Sequence, residues 1–274
     1  MKIHNPYFDN IVSCIIQESK NSDNHEKLIA NSINRLLPDG WSAEHSGMGS
    51  SYADVIIYDP NKQKTWVEVK MNTTDNLYNK RMAFSNGMWV PGSDKDESKS
   101  KVPMLIAAKL NADSNLKTQM QKLARQAGIK FSALTISGTY PRNVANIKAG
   151  IPSVDDFIAI WPGKEHGGKN KYIFEEPNYD LAEIAAAHYT AGKSETCPYI
   201  QMGDNFFKLG SADPLKLGVP QLKGRGDLII RWSHRIETNT FEILVQVKLE
   251  KVESESAFSA LPGTSKKNPF AKLK

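Results

Sequence analysis

Two apolar, β-branched runs around a polar turn, VIIYDPNKQKTWVEV at residues 55–69, constrain this chain more than any other stretch. Val, Ile, Thr, Trp and Tyr suit a pleated, half-buried surface, so the flanks predict two strands. Asp59-Pro60-Asn61-Lys62 between them has type I turn chemistry, with Pro at the second position. Yet Asp54 opens the first run, and Glu68 and Lys70 close the second, where a buried hairpin has little use for charge. Strand alternation puts Trp66, Glu68 and Lys70 on one face and Val67 and Val69 on the other. Antiparallel pairing through the turn then brings Asp54 beside Glu68 and Lys70. Two carboxylates suit a hard divalent cation such as Mg2+, and an ammonium beside them suits phosphate chemistry. The plain alternative is an exposed hairpin with a weak Glu–Lys pair, but the flanking runs are too apolar for that.

Elsewhere, residues 23–37 read as an amphipathic helix through Leu28, Ile29, Ile33, Leu36 and Leu37, ended by Pro38-Asp39-Gly40. Asp23 is the expected N-cap, and Glu26 three residues on completes a capping box. Residues 41–45, WSAEH, predict a short strand, followed by the loop SGMGSS. Residues 71–101 are polar and predict a long surface excursion. The apolar run VPMLIAAKL reads as a strand. A helix capped by Ser114 follows, with Leu116, Met120, Leu123, Ala124 and Ala127 as its stripe and Gly128 as its stop. IKFSALTIS and VDDFIAIWP read as strands, YDLAEIAAAHYTA as a helix, and DLIIRW with FEILVQVKL as a second strand pair. The tail from Glu253 is polar and basic and is expected to be mobile. The order implies a mixed sheet flanked by helices, of mixed α+β class.

Asp54, a short hairpin and then Glu68-Val69-Lys70 resemble the PD-(D/E)xK nuclease superfamily, which includes many type II restriction endonucleases. Ala53 stands where the family name has Pro, at a position that varies. The resemblance covers roughly residues 20–137. It implies a restriction-endonuclease-like αβββαβ core over 1–150 and a C-terminal α+β extension over 151–274 for DNA recognition or dimerisation. It further implies Asp54 and Glu68 as metal ligands for Mg2+, with Mn2+ able to substitute, and Lys70 as the catalytic lysine. Glu26 is the candidate for the first-helix acid that family members often add, and Glu44 is a weaker one. The activity implied is a Mg2+-dependent endonuclease on double-stranded DNA, sequence-specific and homodimeric, since cutting both strands of a palindrome calls for twofold-related sites. A structure-directed nuclease and a binding module with a decayed site are the rival readings.

A second stretch, GRGDLIIRWSHRIETNTFEILVQVK, repeats the layout with Asp227, Gln246 and Lys248, although Gln brings no negative charge to a metal. It is the alternative site. Its GRGD start could set backbone N–H groups and Arg225 against a phosphate. In the 71–101 segment, Tyr78, Lys80, Arg81 and Trp89 supply the donors and flat rings that meet bases and phosphates. A net charge of +5 and a pI near 9.0 suit a polyanion partner. No Walker loop, GxSxG elbow or close histidine pairing points elsewhere, and His25, His45 and His166 are expected to be solvated. Cys14 and Cys197 match no zinc or disulfide pattern. No run approaches a membrane span, and MKIHNPYFDN lacks a signal-peptide layout, so a cytoplasmic protein is expected.

Overall fold

A computed structural model describes residues 22–47, 53–92, 101–136, 145–161, 170–175, 180–190, 196–235 and 240–274. His166, the N-terminal stretch and most of the SGMGSS loop lie outside them. The fold is mixed α+β, with two five-stranded sheets and five α-helices among the described residues. No helix among these residues is long and apolar enough to cross a membrane. The chain does not divide at residue 150. It forms two interleaved units, one from residues 1–75, 193–222 and 254–274, the other from 76–192 and 223–253.

The first unit begins with helix α1, residues 22–36. Ile29 and Ile33 are its buried stripe, while Leu28 is exposed. The Leu37 N–H still bonds the Ile33 carbonyl before Pro38 ends the helix. Asp23 lies inside the helix rather than at its cap, because residue 22 is already helical. The sheet runs β1 (Ser42–His45), β2 (Val55–Tyr58), β3 (Lys64–Lys70), β7 (Tyr199–Met202), β8 (Asn205–Lys208). All neighbours pair antiparallel except β3 and β7, which are parallel. The expected turn closes β2 onto β3: the Lys62 N–H bonds the Asp59 carbonyl at 2.9 Å, and the Gln63 N–H bonds Asp59 Oδ1 at 2.7 Å. Having partners on both sides, β3 is buried from Trp66 to Val69, which explains its near-continuous apolar run.

One face of this sheet packs Val55, Ile57, Val67 and Val69 with Ile29 and Ile33 of α1 and with Phe206, Ala260 and Phe270. The C-terminal tail is therefore part of this core, not mobile. Phe270 is 1% exposed and meets Phe206 edge to face at 5.5 Å. The Ala260 N–H donates to Gln201 Oε1, and Asn268 Nδ2 donates to the Leu36 carbonyl at the end of α1. Tail composition misleads here because a few spaced apolar residues suffice to cap a core edge.

The second unit holds an antiparallel sheet in the order β5 (Met88–Pro91), β4 (Asn76–Ser85), β10 (Thr240–Val252), β9 (Gly224–Arg235), β6 (Lys171–Glu175). The polar excursion expected at 71–101 is largely the β4–β5 hairpin. Asn86 (φ 52°) and Gly87 (φ +80°) form its two-residue turn, both left-handed as a type I′ hairpin requires. VPMLIAAKL is not a strand but lies in α2 (Lys101–Ala112). In α3 (Ser114–Gln126) the cap is Asp113, which accepts from the Leu116 N–H, and Ser114 is the first helical residue. Gly128 ends it as expected, at φ +67°, with the Ile129 N–H returning to the Ala124 carbonyl. IKFSALTIS gives only a 3-10 turn (Phe131–Ala133) and a single bridge from Ile136 to Phe84. VDDFIAIWP gives α4 (Val154–Ile160), capped by Ser153, whose hydroxyl accepts from the Asp156 N–H. The helix α5 (Leu181–Thr190) and the strand pair β9–β10 fall where the sequence puts them.

Candidate active site on the central hairpin

Asp54, Glu68 and Lys70 are brought together as the alternation of β3 predicts. Asp54 precedes Val55, whose cross-strand partner is Val67, so it stands across from Glu68. The Val69 N–H holds Asp54 through Oδ2 at 2.7 Å. Glu68 is 7% exposed and accepts a hydrogen bond from Lys70 Nζ, two residues along the same face. That face is opposite the one on which α1 packs, because Val67 and Val69 point to α1.

The electrostatics are those of a site one positive charge short. Burial, and then the neighbouring Glu68 carboxylate, push Asp54 up to about 7, while the Lys70 ammonium opposes the rise. For Lys70, burial alone would depress the pKa, but Glu68 and Asp54 outweigh it and hold the ammonium above its usual range. Two partly desolvated carboxylates sharing one ammonium match the demand of a hard cation for oxygen ligands, so this donor set fits Mg2+ or Mn2+. Cys197, at the entrance to β7, lies within the reach of both carboxylates. Burial and those charges raise its thiol well above its ordinary value, leaving it inert.

Other expected site residues sit elsewhere. Glu26 does not close a capping box; it accepts from Ser22 Oγ and pairs with His45 Nε2 at 3.0 Å, although its charge is still felt at Asp54. His45 is thus not a solvated side chain. Glu44 pairs with Ile56, on the sheet face of Asp54, and accepts from the Tyr58 hydroxyl.

The second hairpin does not repeat the geometry. Lys248 stands opposite Asp227, whereas Gln246 stands opposite Ile229, so acid and amide are two residues out of register. Gln246 is also 5% exposed in mid-sheet, while Lys248 is exposed. The GRGD start is the first part of β9, not a phosphate nest. The Gly224 N–H donates to Asp180, and a Cβ on Gly226 would lie 2.1 Å from the Lys248 carbonyl oxygen. Only glycine lets β10 come that close.

The DNA-contact candidates divide. Tyr78 and Trp89, each 2% exposed, are core residues and offer no ring face to a base. Tyr78 meets His188 edge-on at 5.1 Å and Trp89 meets Phe84 at 5.2 Å. Lys80 and Arg81 point to opposite faces of their sheet: Lys80 lies near His188, while Arg81 is half exposed and pairs with Glu242 at 2.6 Å. Arg225 is exposed and pairs with Glu253 at 2.6 Å.

Sequence reasoning missed His45, whose relation to α1 depends on how β1 packs. It also missed the β4–β5 hairpin, although Asn86-Gly87 is the strongest short hairpin signal a sequence carries. No known family model matches the chain, and comparisons with curated proteins and with solved structures returned no match.

Proposed function

We propose that the first unit is a Mg2+-dependent endonuclease of the PD-(D/E)xK type, hydrolysing phosphodiester bonds of double-stranded DNA as type II restriction enzymes do. The observation that carries this reading is the cross-strand pair Asp54–Glu68 with Lys70 two residues on, at the C-terminal end of the central strand of a mixed sheet. The arrangement α1–β1–β2–β3 followed by a parallel neighbour supports it. The family's last core strand then corresponds to β7, which follows the first segment of the second unit, and not to residues 129–137.

Asp54 and Glu68 are the ligands, with the Val69 N–H orienting Asp54. Bound there, a divalent cation supplies the Lewis acid that polarises the scissile phosphate. Lys70, pinned by Glu68, orients the attacking water or donates to the charge that builds on the phosphoryl oxygens. Dimerisation and base readout belong to the same proposal, with exposed Arg81 and Arg225 as phosphate contacts.

The test is incubation of the purified protein with plasmid and phage DNA in Mg2+ or EDTA, with the ends mapped. Asp54→Asn and Glu68→Gln should each lower the Mg2+-dependent rate by at least about two orders of magnitude while thermal unfolding stays normal. Lys70→Ala should lose cleavage yet keep DNA binding. Full cleavage by either carboxylate variant would sink the assignment. Defined ends on plain duplex indicate sequence specificity; cutting confined to branched or damaged DNA indicates a structure-directed enzyme.

A further inference from the structure

On the α1 face of the same sheet, three side chains from two elements converge. Asp23 and Glu26 are one helical turn apart on α1, and His45 ends β1. His45 Nε2 lies 3.0 Å from Glu26 Oε2 and 3.6 Å from Asp23 Oδ1, and one donor atom from each residue lies within 4.8 Å of the others. Donors bound at about 2.1 Å to one ion stand roughly 3.0–3.4 Å apart, depending on octahedral or tetrahedral angles, and the two distances to the imidazole are close to that. Each carboxylate is also held from outside. Ser22 Oγ donates to Glu26 Oε1 at 2.9 Å, and Lys27 Nζ donates to Asp23 Oδ2 at 2.5 Å, so the other oxygen of each faces the imidazole. That is the outer support that orients the ligands of a metal.

We propose that Asp23, Glu26 and His45 form a transition-metal site for a borderline ion of the Zn2+ class, separate from the hairpin carboxylates. The imidazole decides the class: two carboxylates alone favour Mg2+ or Ca2+, and a nitrogen donor shifts preference to borderline ions. His45 shares a face with its cross-strand partner Val55, whereas Glu68 and Lys70 are on the other face. The chain can therefore hold a metal here whether or not it cleaves DNA, and the proposal stands apart from the nuclease reading. The competing account is a His45 imidazole that only hydrogen-bonds Glu26 and lies beside Asp23, with no affinity for metal.

The experiment is Zn2+ titration of the full-length protein against a chromophoric chelator, with the visible spectrum of the Co2+-loaded form as a second readout. The variants are His45→Gln, Asp23→Asn and Glu68→Gln. Wild type and Glu68→Gln should share one Zn2+ equivalent that His45→Gln and Asp23→Asn weaken at least about tenfold. The Co2+ spectrum should change in His45→Gln and not in Glu68→Gln. Asp23 is part exposed on a helix, so Asp23→Asn keeps the test open if His45→Gln folds poorly. Zinc binding unaltered in both His45→Gln and Asp23→Asn, or absent from the wild type, overturns the site. Loss of cleavage in Glu68→Gln with zinc binding retained would leave both proposals in place.

Discussion

His188, in α5, is a residue whose ordinary chemistry the fold suppresses. Burial, and then the nearby Lys80 charge, push its pKa down to about 4 from 6.5. The folded unit thus refuses a proton that the unfolded chain accepts, so this group's contribution to stability is full above about 6.5 and is lost as pH falls toward 4. Asp54, raised to about 7, acts in the opposite sense over the same window, so the readout is the difference between variant and wild type. The thermal midpoint of His188→Gln should gain on that of the wild type as pH falls from about 7 to about 5, and a constant difference would remove His188 as a cause. Asp54, Glu68 and Lys70 could be read from sequence because two-residue alternation and one turn determine where they point. His45 and Glu26 could not, since their meeting depends on how a helix lies across a sheet. Tyr78 and Trp89 misled for a related reason: an aromatic ring in a polar stretch serves a base or a core equally well until the opposite layer is known.

Among elements, register separates the two hairpins more firmly than composition does. Asp54 stands across from Glu68, but Asp227 stands across from Lys248 with Gln246 two residues away. Asp227→Asn should accordingly leave the single-turnover cleavage rate within about twofold, since that residue holds no cation in common with Gln246. A dead Asp227 variant beside an active Asp54→Asn would move the active site to the second unit. Three apolar runs that read as strands, at 102–110, 129–137 and 154–162, are wholly or partly helical or 3-10. Short runs buried on several sides carry no period that tells helix from strand. In the first of them, β-branching is limited to Val102 and Ile106, and Ala107-Ala108 favours the helix. For α4 the signal was present: Ser153 followed three residues later by Asp156 is a cap with its own reciprocal bond, 2.6 Å from hydroxyl to carboxylate.

At the level of the whole molecule, the sheet of the first unit is built from two stretches far apart in the chain, 42–70 and 199–208, and its core also takes Ala260 and Phe270. Phe270→Ala should cost about 3–5 kcal/mol, as truncation of a buried aromatic does, and should destabilise the hairpin site with it. Denaturant unfolding of that variant, set beside Lys274→Ala as an exposed-residue control, measures the difference; equal midpoints would return the tail to solvent. Interleaving of this kind is invisible to composition, because each piece reads as an ordinary fragment until β3 is known to pair with β7. The same interleaving has a consequence during translation. The β2–β3 hairpin leaves the ribosome early, but at roughly 5–20 residues per second its parallel neighbour β7 follows only on the order of ten seconds later. Phe270, which packs on the same core, follows later still. A nascent chain that has not yet reached β7 therefore carries the two carboxylates and the lysine on a hairpin without its parallel neighbour.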